Sequence, residues 1–63
     1  MNIGVIGLGL IGGSFALAAK EHLEDVVLYG ADQNQAHLEE AIESGIVDQS
    51  LSPKLYPKMD VMI

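Results

Sequence analysis

The chain has 63 residues, a formal net charge of −6, 49% hydrophobic residues and no cysteine. A chain this short buries only about 60% of its unfolded surface, and without cysteine neither a disulfide nor a thiolate-held zinc can reinforce the core. Lys20, Lys54 and Lys58 are the whole cationic complement, too little to displace counterions from nucleic acid or to engage an anionic membrane.

In chain order, Ile3-Gly4-Val5-Ile6 is a continuous apolar run, the pattern of a strand in a parallel sheet covered on both faces. Gly7-Leu8-Gly9-Leu10-Ile11-Gly12-Gly13-Ser14 ends it. From about Leu10 to His22 the spacing predicts a helix, with Ile11, Phe15 and Ala18 at i, i+4 and i+7 and Leu10, Ser14 and Leu17 beside them. Small residues on that face let the helix lie close to the sheet, and Lys20, Glu21 and Glu24 mark its exit into solvent. The uncharged stretch from residue 3 to 19 could also be read as an export signal or a membrane span. Met1-Asn2 lacks the positive start of a signal peptide, however, and the run holds five glycines and falls short of the roughly 20 apolar residues of a spanning helix. Gly9 and Gly13 make a G-x-x-x-G pair, which has meaning only inside such a span.

Val26-Val27-Leu28-Tyr29 predicts a second buried strand, closed by Gly30-Ala31-Asp32. A second helix follows, capped by Asn34, with Leu38, Ala41 and Ile42 on its apolar face, Glu39, Glu40 and Glu43 toward water, and Gly45 just past its end. Ile46-Val47 reads as a very short third strand. Asp48 to Lys58, with Pro53 and Pro57, reads as a polar connector. Met59-Asp60-Val61-Met62-Ile63 looks like a fourth strand that stops inside an apolar run, as expected of the N-terminal part of a larger protein.

The order implies an α/β fold: a Rossmann-like parallel sheet with flanking helices, truncated in its fourth strand. A G-x-G-x-x-G turn between strand and helix, followed by an acid, is the pattern of a dinucleotide site. Gly7 permits the sharp turn, Gly9 lets the backbone approach a pyrophosphate, and Gly12 lets helix and strand pack closely. Amides at the helix start then face the phosphates. Asp32, twenty positions after Gly12, can accept hydrogen bonds from the adenosine ribose hydroxyls and would repel a 2′-phosphate. Gln33-Asn34-Gln35 supplies no cation to hold that phosphate, so NAD is favoured over NADP. The plainer alternatives are that the glycines serve packing alone and that Asp32 is a turn or helix-capping residue.

The glycine segment, with its double glycine and serine, resembles the nucleotide-binding signature of the prephenate dehydrogenases, enzymes of the tyrosine pathway. Tyr29-Gly30-Ala31-Asp32 is similar to that family's second-strand end, with Ala31 as an extra residue before the acid. Leu38 through Asp48 and Met59 to Ile63 resemble its second helix and its next strand. The resemblance runs along essentially the whole chain but covers only the first part of such an enzyme. It implies a cytoplasmic, homodimeric protein that oxidises and decarboxylates prephenate to 4-hydroxyphenylpyruvate with NAD(P)+, or acts likewise on arogenate. The rest of the nucleotide domain and a helical C-terminal domain would lie outside residues 1–63. By the same resemblance Gly7, Leu8, Gly9, Leu10, Ile11, Gly12 and Asp32 would hold the cofactor. The family's catalytic histidine and substrate-binding arginine lie beyond Ile63, so no catalytic residue is expected in this segment, which should be inactive and only marginally folded by itself.

His22 and His37 fall on predicted helices away from the glycine turn and read as solvated or partly packed. Ser14 reads equally as a small residue against the sheet or a phosphate contact, and Tyr29 and Tyr56 as packing residues. No spacing suggests a metal site. Two other functions fit the same start: another Rossmann dehydrogenase, such as a β-hydroxyacid dehydrogenase (those relatives usually carry methionine where Ile11 stands), and a non-catalytic nucleotide-sensing module.

Overall fold

The computed structural model describes residues 1–7 and 9–63, with residues 10–13 described by their backbone alone. Five elements follow the predicted order: strand β1 (Asn2–Ile6), helix α1 (Leu10–His22), strand β2 (Val27–Ala31), helix α2 (Gln35–Glu43) and the two-residue strand β3 (Gln49–Ser50). A 3-10 helix (Pro53–Lys58) then leads to the two-residue strand β4 (Val61–Met62). One sheet holds all four strands in the order β3-β2-β1-β4, every pair parallel. The chain winds outward from β1 to β3 and then returns to the other side of β1. That reversal creates a switch point at the carboxyl end of β1, where open α/β sheets place their ligands.

Strand alternation sets the core. Ile3 stands opposite Leu28 in the β1–β2 register, and with Val5 these side chains are almost wholly removed from solvent. They cluster with Ala16 and Ala19 of α1, Ala41 of α2, and Val47. Alanine on the inner helix faces permits close approach to the sheet at little cost in side-chain entropy. The opposite face at Gly4 is covered by the β3–β4 connection. A Cβ added to Gly4 would lie 3.0 Å from Leu51 Cδ2 and 3.3 Å from Met59 Cγ, so this glycine serves packing.

Several expectations are corrected. The buried face of α1 is turned from the predicted one: Ala16 and Ala19 point inward with Phe15 half-buried, while Ser14, Leu17 and Ala18 are exposed. Two alanines face the sheet, and the larger Leu17 stays outside. Ile42 is also largely exposed, leaving Leu38 and Ala41 as the buried residues of α2. Ile6 is exposed at the end of β1 rather than buried in a doubly covered strand. The third strand is Gln49–Ser50, not Ile46-Val47; Val47 serves the core instead. The supposed connector therefore contains both a strand and a 3-10 helix.

An aspartate bracket repeated at both edges explains where the third and fourth strands begin. Asp48 Oδ2 accepts the Leu28 N–H at 2.9 Å, and the Asp48 N–H donates to the Leu28 carbonyl at 2.8 Å. Asp60 does the same at β1: its Oδ2 accepts the Asn2 N–H at 2.7 Å, and its N–H donates to the Asn2 carbonyl at 2.8 Å. Each aspartate grips both main-chain groups of one residue and delivers the following residues into a parallel ladder. Lys20 Nζ reaches Asp48 Oδ1 at 2.7 Å and ties α1 to this bracket. The ends of α2 are fixed by its caps. Asn34 Oδ1 accepts from the N–H groups of Ala36 and His37 at the start of α2. Gly45, at φ +80°, follows the last turn, as expected of a residue in the left-handed region.

Partial burial alone would raise the Asp48 carboxyl, but the Leu28 N–H and the Lys20 ammonium outweigh it and hold the group below its ordinary 3.8. A carboxyl depressed on folding stabilises the fold above its unfolded value and loses that contribution as pH falls through the folded value. The urea midpoint of the wild type should therefore exceed that of Asp48→Asn above pH about 4, with the gap closing at lower pH. A gap that is constant from pH 7 to pH 3 would contradict the bracket's ionic part.

Candidate nucleotide site

The site is assembled where β1 and β2 end together. The register carries Ile6 opposite Ala31, and one further bond, Gly7 N–H to the Ala31 carbonyl at 2.7 Å, extends the pairing past the strand. At Gly7 the backbone turns away at φ +85°, a conformation that costs a residue with a Cβ about 1–2 kcal/mol. Glycine is needed here for the turn itself.

Gly9 differs. It is the N-cap of α1 with φ −74° and ψ −167°, ordinary extended backbone. A Cβ placed on it would meet nothing within 4 Å. Neither conformation nor packing among the described residues calls for glycine at this position. The start of α1 has no side-chain cap hydrogen bond and no acidic residue in its first turn, so no carboxylate of that turn offsets the positive end of the helix dipole.

Asp32 follows β2 directly. Its Oδ1 accepts the Asn34 N–H at 2.8 Å, and its Oδ2 lies 3.9 Å from Nδ1 of His37. The Asp32 side chain is only 13% exposed. Ile6, Gly7, Ala31, Asp32 and Gln33 line an open cleft of about 490 Å³, within the usual range for small-molecule sites. The plainer reading of Asp32 as a turn residue holds for Oδ1, and Asp32 is also one of the residues that line the cleft.

The structure thus brings Gly7 and Asp32 to one strand-end cleft, and Gly9, two residues after Gly7, caps α1. Leu10, Ile11 and Gly12 belong by backbone to the first turn of α1; their side chains, and all of Leu8, lie outside the described residues, as does the close packing expected of Gly12. Ser14 is exposed on α1 rather than set against the sheet. His22 ends α1 in solvent. His37 lies on α2 with more than half of its side chain in solvent, as expected, and its Nδ1 stands 3.9 Å from Asp32 Oδ2. Among the described residues no three His, Asp or Glu side chains come together to hold a metal, and no helix is long and apolar enough to cross a membrane.

No protein-family model matches the chain. Among solved structures it is similar to the crystal structure of prephenate dehydrogenase from A. aeolicus in complex with hydroxyphenyl propionate and NAD+, with a TM-score of 0.79 and 29% sequence identity. The match takes in 98% of this chain and 23% of that one. The chain has a Rossmann-like α/β fold. It spans about a quarter of the length of the dehydrogenase it matches.

The two loop glycines separate in a stability measurement. Gly7→Ser should cost about 1–2 kcal/mol, because serine must adopt a positive φ. Gly9→Ser should leave stability unchanged or raise it by a few tenths of a kcal/mol, since serine is a good N-cap in open space. Urea melts of the two variants against the wild type check this, and a large loss from Gly9→Ser would show that Gly9 serves the fold after all.

Proposed function

We propose that the chain is the N-terminal cofactor-binding part of an NAD-dependent dehydrogenase of the prephenate or arogenate type. The observation that carries the reading is the open space in front of Gly9. A glycine that neither conformation nor packing among the described residues requires, at a helix start without a side-chain cap and two residues beyond Gly7 of the cleft, is accounted for by a ligand whose phosphates come close to the main chain. The likeness to an NAD+-bound prephenate dehydrogenase supports the same reading and favours that reaction class over the other dehydrogenases and the sensor.

In this reading Gly7, Leu8, Gly9, Leu10, Ile11 and Gly12 form the phosphate-facing turn. Their contribution is main-chain N–H groups and the absence of obstructing side chains. Asp32 receives the adenosine ribose hydroxyls and excludes a 2′-phosphate, which selects NAD over NADP. The nicotinamide supplies the hydride acceptor. The residues that bind and activate prephenate or arogenate belong to parts of the longer protein outside these 63 residues, as do the contacts of a homodimer. A cytoplasmic setting accords with the cysteine-free composition.

Calorimetric titration with NAD+ tests the proposal. The wild-type chain should bind, and Gly9→Val should weaken binding by roughly tenfold or more while retaining its circular dichroism, because the added branches occupy the phosphate approach. In the same samples, incubation with prephenate should yield no reduced cofactor. Equal NAD+ affinity in wild type and Gly9→Val would remove the basis of the reading, and turnover by the chain alone would contradict the assignment of catalysis to another part of the protein.

A further inference from the structure

Helix α1 is fastened to β2 at both ends, by different means. Before its leading end the Gly7 N–H donates to the Ala31 carbonyl at 2.7 Å, two residues ahead of the Gly9 cap. At its trailing end Lys20, in the last turn, places Nζ 2.7 Å from Asp48 Oδ1. Asp48 is itself held to β2. Its Oδ2 accepts the Leu28 N–H, its own N–H donates to the Leu28 carbonyl, and Leu28 is wholly buried. Glu21, Glu24 and Asp25 stand close to Lys20 in sequence, yet Asp48 is its only ion-pair partner among the described residues. The same contact is the one side-chain hydrogen bond from α1 to another element among the described residues.

Between these fastenings α1 meets the sheet through small side chains. Ala16 and Ala19 face the core, with Phe15 half-buried beside them. An alanine face presents shallow ridges and interlocks weakly along the helix axis, and packed helices slide past their neighbours in shear movements. The apolar contacts therefore hold α1 against the sheet without fixing how far along it the helix lies. The Gly7 bond fixes the chain ahead of the turn, not the helix behind it. The axial position of α1 is left to the Lys20–Asp48 pair.

We propose that Lys20 is a positioning residue: through Asp48 it sets how far α1 reaches toward the strand ends, and so where Gly9 and the first-turn amides stand for a cofactor phosphate, an inference that rests on the nucleotide reading of the site. Lys20 follows Leu10 by ten residues, about 15 Å of helix, and acts through the helix rather than by contact with the ligand. Without the pair, α1 occupies displaced positions as well. The apparent affinity for NAD+ then falls in proportion to the fraction of chains that keep the helix start in place.

The test is calorimetric titration of the whole chain with NAD+ for the wild type, Lys20→Met and Lys20→Arg, with amide proton–nitrogen spectra of each protein before ligand is added. Circular dichroism confirms that each is folded under the titration conditions; should Lys20→Met not fold, Lys20→Gln takes its place. The neutral variant should bind NAD+ roughly two- to fivefold more weakly, the range open to a partly exposed ion pair. Lys20→Arg should bind like the wild type. In the ligand-free neutral variant the Gly9 amide resonance should move, although the substitution lies at the other end of the helix, while those of Ala36 and His37 on α2 stay in place. Equal NAD+ affinity in wild type and the neutral variant overturns the positioning role alone. So does an affinity loss that Lys20→Arg shares, or one that leaves the Gly9 resonance unmoved. Failure of the wild type to bind NAD+ overturns the nucleotide reading and this inference with it.

Discussion

A single main-chain hydrogen bond, from the Gly7 N–H to the Ala31 carbonyl, holds the two halves of the candidate site together. It lies one step beyond the last rung of the β1–β2 ladder. It fixes how far each strand runs before the chain leaves the sheet. Because it is formed, the glycine turn and Asp32 emerge side by side, although about twenty residues of helix and turn separate them in sequence. A shift of one residue in this register would carry every side chain of β2 to the opposite face. Leu28 would leave the core and Asp32 would leave the cleft in the same step. Core packing and site geometry therefore depend on the same pairing.

That pairing is reinforced from outside by short polar devices rather than by a large core. Asp48 and Asp60 each clamp one residue of a neighbouring strand by its N–H and its carbonyl. Strands of two residues could not hold a parallel register by ladder bonds alone. The two edges differ: Gln49 and Ser50 present polar side chains, whereas Val61 and Met62 leave apolar ones exposed. Small residues do the rest, with Ala16, Ala19 and Ala41 bringing both helices close to Ile3, Val5 and Leu28. In a chain of this size, close approach replaces bulk as the source of dispersion contacts.

Much of this was legible in the sequence because local chemistry dictates it. The glycine turn, the limits of α1, the Asn34 cap, and Gly45 at a positive φ all follow from residue types at fixed offsets. What escaped were features set by tertiary context. Periodicity placed an apolar stripe on α1 through Phe15 and Ala18 without revealing that Ala16 and Ala19, not Ala18 or Leu17, would face the sheet. Ile46 and Val47 have strand-forming side chains, yet the chain joins the sheet only after Asp48, because a carboxylate grips Leu28 first. The nearness of His37 to Asp32 comes from a helix start folding back on a strand end, which no linear spacing displays. Around the candidate site, Gly7 turns the chain at a positive φ just past β1 and Asp32 follows β2, and the structure adds what the motif could not: among the described residues nothing lies within 4 Å of a Cβ placed on Gly9.

The central claim is that this open space and the Asp32 carboxylate belong to one dinucleotide site organised by the β1–β2 register. Amide proton–nitrogen correlation spectra recorded during titration with NAD+ address it most directly. The account predicts that the resonances of Gly7, Gly9 and the first turn of α1 move together with those of Asp32 and Gln33, along a single saturating curve. Saturable shifts confined to other surfaces, with Gly9 and Asp32 unmoved, would contradict it.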